Sequence, residues 1–187
     1  MDIAATAIRC VEVLEQAGMP CAIGGAIALG VWCPPRATLD VDLTIFVDVA
    51  HADAVLQVLE TAGARADMGL MARRLQNGEV AMLAMGGVRL DVFMPSIPFY
   101  ADAQMRVVRV TLAGAQVPVL SAEVLSVFKL LFFRKKDLVD LERLVVFRRD
   151  RLDHGWVRSQ IAEMLGEEDP RIEAWDGIIA AAGLATA

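Results

Sequence analysis

The sequence has 187 residues, of which 56% are hydrophobic and 22% charged, so it has ample apolar side chains for a packed core and is not a disordered chain. Its net charge of −6 gives no overall attraction to DNA or to an anionic membrane surface, and we expect neither as a partner. Three cysteines without CxxC spacing and only two histidines disfavour a zinc site or a disulfide framework.

The beginning of the chain predicts helices alternating with a short strand. Apolar residues at helical spacing indicate a helix that ends near Gly18, and the charges within it disfavour a secretory signal, so we expect a cytoplasmic protein. A strand at residues 21–23 runs into Gly24 and Gly25, and a brief helix at 26–31 stops at two consecutive prolines. Because these glycines and prolines interrupt the long charge-free run, that run is not predicted to cross a membrane.

The middle of the chain predicts mainly strands. Residues 41–47 predict a strand and 51–62 a helix, whereas the stretch 70–119 is interpreted as β. Four strands are expected in that stretch, at 80–85, 88–93, 105–112 and 116–119. A hairpin turn is expected at Gly86 and Gly87.

The pattern changes to helices from Ser121, a predicted N-cap. After a first helix with a buried apolar face, three more are expected, near 137–147, 154–165 and 171–182. The predicted fold class is therefore α/β (α+β), with a mixed β-sheet flanked by helices and a C-terminal helical part. We divide the chain into an α/β core at 1–120 and a docked helical segment at 121–187.

Two aspartates, Asp40 and Asp42, lie two residues apart in a predicted strand. The period of two places both side chains on one sheet face, while Val41 and Leu43 point to the other. Two carboxylates on one face repel each other unless a cation neutralises them, and their hard oxygens favour Mg²⁺ or Mn²⁺. The alternative is a solvated strand edge, where Asp-x-Asp is common.

A third carboxylate, Asp91, lies in the second strand of the predicted hairpin. If this strand pairs with the Asp-x-Asp strand, Asp91 comes beside Asp40 and Asp42 and completes a metal site. The alternative is that Asp91 forms a salt bridge with Arg89 or Arg36.

The glycines Gly24 and Gly25 lie between a strand and a short helix. Without side chains they would let phosphate oxygens approach backbone N–H groups at the positive end of the helix. The pair forms neither a GxGxxG nor a Walker motif, and an ordinary turn is the alternative.

The order of these motifs resembles that of a known superfamily. The diglycine segment 23–30, then Arg36, Thr38 and the Asp-x-Asp strand, resembles the Gly-Gly, Arg-x-Thr/Ser-x-Asp-x-Asp signature of nucleotidyltransferases of the DNA polymerase beta superfamily. The likeness is closest to a small bacterial branch that includes abortive-infection (type IV toxin–antitoxin) toxins. Lys129 and the segment 134–141 are similar to helical motifs of that branch.

The resemblance implies roles for individual residues. Asp40, Asp42 and Asp91 would be catalytic and would hold Mg²⁺ or Mn²⁺ on a nucleoside triphosphate, with Asp91 helping to activate the acceptor hydroxyl. The implied nucleotide-binding residues are Gly24, Gly25, Arg36, Thr38, Lys129 and Lys136. Gly25 departs from the superfamily pattern, in which serine is frequent at this position.

All three lysines of the chain fall in the segment 129–158, which carries a net charge of +4. Lys129 stands alone in an apolar run, so its ammonium group must reach the surface or meet an anion such as a phosphate. Asp137 and Asp140 lie three residues apart on one helix face, where they would form surface salt bridges or support Lys136.

These observations predict a metal-dependent enzyme that transfers a nucleoside monophosphate from an NTP to a hydroxyl acceptor and releases pyrophosphate. A tRNA, a protein or a small molecule could be the acceptor, and a cognate antitoxin is a further expected partner if the chain is the toxin of a toxin–antitoxin pair. The alternatives are a catalytically silent nucleotide-binding protein and an aminoglycoside or lincosamide nucleotidyltransferase.

Overall fold

The computed structural model describes residues 2–184, in which helices flank a mixed six-stranded sheet. The strands are β1 (Cys21–Ile23), β2 (Asp40–Ile45), β3 (Ala81–Met85), β4 (Val88–Phe93), β5 (Val107–Leu112) and β6 (Ala115–Leu120). The α-helices are α1 (Ile3–Gln16), α2 (Gly25–Trp32), α3 (Ala52–Thr61), α4 (Met68–Gln76), α5 (Tyr100–Met105), α6 (Ala122–Phe132), α7 (Lys135–Arg148), α8 (His154–Leu165) and α9 (Pro170–Ala181).

The chain divides into two compact units. The first consists of Met1–Ile27 and Arg36–Leu120 and contains the sheet, whereas the second consists of Ala28–Pro35 and Ser121–Ala187 and is helical. The last strand, β6, ends at Leu120, and the regular elements that follow it are helices. The segment Ala28–Pro35, which the sequence-based division assigned to the α/β core, belongs to the helical unit instead.

The sheet of the first unit has the strand order β3-β4-β2-β1-β6-β5. Strand β2 is parallel to β4, and β1 is parallel to β6, while the other neighbouring pairs are antiparallel. The predicted hairpin between β3 and β4 is confirmed. Its turn residues Gly86 and Gly87 have φ of +59° and +85°, values that glycine adopts without a steric penalty.

Alternating apolar residues in the central strands build the core of the first unit. Val41, Leu43 and Ile45 of β2 and Leu90 and Val92 of β4 are fully buried. Helix α1 packs against β1, β2 and β6 and against α3, and it buries an apolar stripe at helical spacing. Since side chains alternate along a strand, the intervening residues of β2 and β4 point to the opposite sheet face.

The interpretation of residues 70–119 as β is wrong in two places. Helix α4 starts at an N-cap, Asp67, whose side chain accepts a hydrogen bond from the Leu70 N–H at 3.0 Å. It buries Met71, Ala72 and Leu75, a helical rather than an alternating spacing. The second exception is the short helix α5, which precedes β5.

The second unit contains α6 to α9 and the segment Ala28–Pro35. Ser121 caps α6 as predicted, with its hydroxyl accepting from the Val124 N–H at 3.2 Å. Two arginines of α7 hold the segment: Arg143 Nη2 donates to the Pro34 carbonyl at 2.6 Å, and the guanidinium of Arg148 lies 5.2 Å from the ring centre of Trp32.

None of the helices within the described residues combines the length and apolar character that a bilayer crossing needs.

Candidate active site

The three predicted catalytic aspartates lie on one face of the β2–β4 pair. The register sets Asp42 opposite Asp91 and Asp40 opposite Arg89, which confirms that the two strands are neighbours. Because registered residues in a parallel pair share a sheet face, these four side chains form one charged patch. Asp40 and Asp42 are half-buried and Asp91 is buried.

Asp91 is held by Arg89 in a two-pronged ion pair. The Nε and Nη2 atoms of Arg89 each donate to one oxygen of the Asp91 carboxylate, both at 2.7 Å. The hydrogen bonds to Asp91 and its negative charge, followed by the charges of Asp40 and Asp42, raise the pKa of Arg89 above its ordinary value. The sequence had left this ion pair open as the alternative to a metal-binding role for Asp91.

The diglycine turn lies directly against Asp42. The Gly24 N–H donates to the Asp42 carbonyl at 2.9 Å, so the turn is tied to β2. Gly25 has φ of +53°, and a Cβ atom there would lie 1.7 Å from Asp42 Oδ2. A side chain here would displace the Asp42 carboxylate and would have to adopt a backbone conformation that favours glycine.

Gly25 is also the first residue of α2. The unpaired N–H groups of a helix N-terminus and the helix dipole favour negative charge, and here they lie beside a carboxylate. Phosphate oxygens could therefore reach these N–H groups if a cation offsets the charge of Asp42.

The loop before β2 contains two more of the predicted residues, and one of them, Thr38, contacts a carboxylate of the patch. Thr38 Oγ1 donates a hydrogen bond to Asp40 Oδ1 and orients that carboxylate. Arg36 also lies in this loop, where its Nη1 donates to the Ala37 carbonyl at 3.3 Å.

The two predicted lysines belong to the second unit, and one of them is buried in an ion network. Lys129 Nζ lies 2.7 Å from Asp140 Oδ2 and 3.7 Å from Asp137 Oδ1, and its side chain is only 6% exposed. Asp137 also accepts from Arg134 Nε at 2.6 Å. The expectation that the two aspartates support Lys136 is therefore wrong, because they neutralise Lys129 while Lys136 is exposed.

The donor atoms of the carboxylate patch fit a hard divalent cation. Mg²⁺ is commonly bound by one or two carboxylates together with substrate phosphates, and Asp40 and Asp42 supply such oxygens beside the diglycine turn. Asp91 is engaged by Arg89. Within residues 2–184, no group of three or more His, Cys, Asp or Glu side chains is already arranged to hold a metal ion.

A mixed sheet thus carries paired aspartates on β2 and a third on its parallel neighbour β4, next to a glycine turn and a helix. The family model of aminoglycoside-2''-adenylyltransferase matches residues 7–144. The match covers most of the chain, and the chain belongs to this family of nucleotidyl-transferring enzymes. No curated protein matches the sequence significantly.

Solved structures share the fold. The crystal structure of ANT(2'')-Ia in complex with adenylyl-2''-tobramycin aligns with a TM-score of 0.55 and 14% identity over 95% of this chain and 97% of that one. An antigenic nucleotidyltransferase-like protein from Paracoccidioides brasiliensis aligns at 0.51 and 18% identity, with 93% and 92% covered. The lincomycin-bound lincosamide adenylyltransferase LnuA aligns at 0.51 and 16% identity, with 75% and 94% covered.

The comparisons support the superfamily that the sequence motifs resemble. The family that matches modifies antibiotics, whereas the motifs were most similar to the toxin branch. The family match and the motif resemblance therefore agree on nucleotidyl transfer and differ in the acceptor that they suggest.

Proposed function

We propose that this protein transfers AMP from ATP to a hydroxyl group of an aminoglycoside-like antibiotic, with release of pyrophosphate. The observation that carries the proposal is the shared sheet face of Asp40, Asp42 and Asp91 beside Gly25 in a chain of the aminoglycoside-2''-adenylyltransferase family. ANT(2'')-Ia, which shares the fold, is described with an adenylylated tobramycin. A lincosamide is a related candidate acceptor, because LnuA shares the fold as well.

The residues of the patch have distinct tasks in this reaction. Asp40, oriented by Thr38, and Asp42 would hold Mg²⁺ or Mn²⁺, which would neutralise charge on the triphosphate. The N–H groups at Gly24 and Gly25 receive phosphate oxygens. Arg36 is a further residue of the first unit that we propose to act on the nucleotide side, whereas nucleotide binding by Lys129 and Lys136 stays a prediction from the sequence motifs.

We propose Asp91 both as the base and as a further ligand of the cation. Asp91 takes the proton of the acceptor hydroxyl, whose oxygen forms a bond to the α-phosphorus of ATP. The bond from that phosphorus to the bridging oxygen breaks, and pyrophosphate leaves with the electron pair. A carboxylate within hydrogen-bond reach of the acceptor is what this proton transfer requires.

The experiment incubates the protein with ATP labelled at the α-phosphate, Mg²⁺ and a panel of aminoglycosides and lincosamides. We expect label on an antibiotic with wild type, and a loss of at least about a hundredfold with Asp42→Asn, since removing one charge-stabilising group commonly costs that much. Asp48→Asn is the matched control, because Asp48 caps a turn outside the patch and asparagine caps equally well. Transfer that survives Asp42→Asn, or no transfer to any antibiotic, contradicts the proposal.

Two arms of the same experiment cover the toxin hypothesis. Total cellular RNA and total protein replace the antibiotics, and label on tRNA or on a protein would favour a toxin role with a cognate antitoxin. That role and a cytoplasmic location rest on the sequence motifs and composition, and we keep both as predictions.

A further inference from the structure

Arg89 lies among the carboxylates of the candidate active site. In the strand register it lies beside Asp40, and its guanidinium donates to both oxygens of Asp91. One guanidinium therefore supplies positive charge to the whole patch.

This positive charge offsets the repulsion between carboxylates on neighbouring strands. Asp42 and Asp91 are direct cross-strand neighbours, and like charges in that position destabilise a sheet. A bidentate arginine–carboxylate pair is among the stronger hydrogen-bonded ion pairs. The pair stabilises the metal-free patch, but its hydrogen bonds compete with a metal ion for the Asp91 oxygens.

The Arg89 side chain has room to rotate away from Asp91 into solvent. It is 56% exposed, whereas Asp91 is 10% exposed. Its Nη2 atom also lies 3.6 Å from Met82 Sδ, on the exposed side of the edge strand β3. A rotation of Arg89 into solvent would therefore leave the buried core unchanged.

We propose that Arg89 is the counter-cation of the carboxylate patch in the metal-free enzyme, and that a divalent cation gains Asp91 as a ligand only by displacing Arg89. The inference rests on the proposed function, because it takes Asp40 and Asp42 as the other ligands. Arg89 acts through Asp91 and is a positioning residue: it sets how tightly the empty site binds metal.

The test measures binding of Mn²⁺ to the full-length, nucleotide-free protein from the electron paramagnetic resonance signal of free Mn²⁺. We expect Arg89→Gln to bind Mn²⁺ more tightly than wild type, on the order of fivefold, the range of an exposed ion pair. Arg109→Gln is the matched control: Arg109 is 53% exposed and pairs with Glu15 at 2.7 Å, away from the patch. It should bind Mn²⁺ as wild type does.

A second variant keeps the test decisive. Arg89→Lys retains the charge without the two-pronged geometry, so its affinity for Mn²⁺ should fall between those of wild type and Arg89→Gln. If Arg89→Gln does not fold, the Mn²⁺ affinity of Arg89→Lys is compared with that of wild type, and tighter binding by Arg89→Lys supports the inference. Equal or weaker binding of Mn²⁺ by the Arg89 variants overturns the inference, and so does an equal gain in Arg109→Gln.

The adenylyl-transfer assay separates failure of this inference from failure of the proposed function. Transfer by wild type together with an unchanged Mn²⁺ affinity in the Arg89 variants overturns the inference alone. A wild-type protein that neither binds Mn²⁺ nor transfers label overturns both.

Discussion

At Gly25 the backbone and the Asp42 carboxylate leave no space for a side chain. The missing Cβ would lie 1.7 Å from Asp42 Oδ2, so any other residue would move the carboxylate, the turn or both. The first turn of α2 and strand β2 therefore approach each other so closely that a Cβ atom at residue 25 would overlap the Asp42 carboxylate. This close approach ties the phosphate-binding and metal-binding parts of the proposed site together.

We predict that Gly25→Ala lowers the free energy of unfolding and weakens ATP binding, whereas Gly18→Ala affects stability alone. Both glycines have positive φ, at +53° and +70°, and an alanine in that conformation costs about 1–2 kcal/mol. No atom lies within 4 Å of a Cβ at Gly18, so only Gly25→Ala adds a clash. Urea unfolding and calorimetric titration with ATP and Mg²⁺ measure the two effects; equal losses in both variants would contradict this prediction.

Two buried thiols predict how stability depends on alkaline pH. Burial is the main cause that raises the pKa of Cys10 and of Cys21 from 9.0 to about 12. Between these pH values the folded protein keeps protons that the unfolded chain has released, so the free energy of unfolding falls as pH rises. Each thiol contributes at most about 1.4 kcal/mol per pH unit.

Urea unfolding of wild type and Cys10→Ala over this range measures the contribution of one thiol. We expect a shallower decline for Cys10→Ala above about pH 9, where the unfolded thiol ionises, and parallel curves below about pH 8. Parallel curves throughout would show that Cys10 does not titrate differently in the two states.

Among the elements, helices α6 and α7 are held together by a buried ion network. Lys129 of α6 meets Asp140 and Asp137 of α7, and the lysine and both acids are almost completely buried. Arg134, the N-cap of α7, binds Asp137 from the exposed side. The Arg-x-x-Asp-x-x-Asp motif therefore has a structural task in the helical unit, to neutralise a buried ammonium group.

Removal of one carboxylate from this network should be strongly destabilising. Asp140→Asn leaves Lys129 with its weaker partner at 3.7 Å, and breaking a buried pair in this way costs about 3–5 kcal/mol. Glu142→Gln on the exposed side of α7 is the matched control and should change stability by less than about 0.5 kcal/mol. Chemical denaturation measures both; a cost near that of the control would mean that the pair contributes little.

The sequence predicts elements well where one pattern dominates and poorly where two compete. The β3–β4 hairpin follows from alternating apolar residues around two glycines, and it is confirmed. Helix α4 is not predicted, because Leu70 and Met71 are grouped with the strands that follow, although the Asp67 cap precedes them. Helix α4 depends on burial of Met71 and Leu75 against neighbouring elements, and the local sequence carries no information about those tertiary contacts.

At the scale of the whole molecule, binding of ATP with Mg²⁺ should stabilise the fold. A ligand that binds only the native state at a hundred times its Kd adds about 2.7 kcal/mol, so the Tm should rise with ATP concentration. Asp42→Asn should reduce this rise, because the cation loses a ligand. Thermal scans with ATP, with Mg²⁺ and with both measure it; no rise with both present would contradict nucleotide binding.

Much of the candidate site could be predicted because strand periodicity fixes which side chains share a face. Asp40 and Asp42 follow from the period of two, and Asp91 follows once β2 and β4 are taken as neighbours. The preference of Asp91 for Arg89 could not be decided, because it depends on side-chain geometry within the patch. The partner of Lys129 was also out of reach, since it required knowing that Asp140 turns inward.

The segment Ala28–Pro35 interrupts the sheet-bearing unit in sequence but belongs with the helices. Trp32 and Pro34 find their partners in Arg148 and Arg143, more than a hundred positions further along the chain. A shortened gene that stops at codon 120 would therefore encode a sheet with an orphaned insert, prone to proteolysis. Exchange of the helical half between homologues would therefore have to include this eight-residue insert as well.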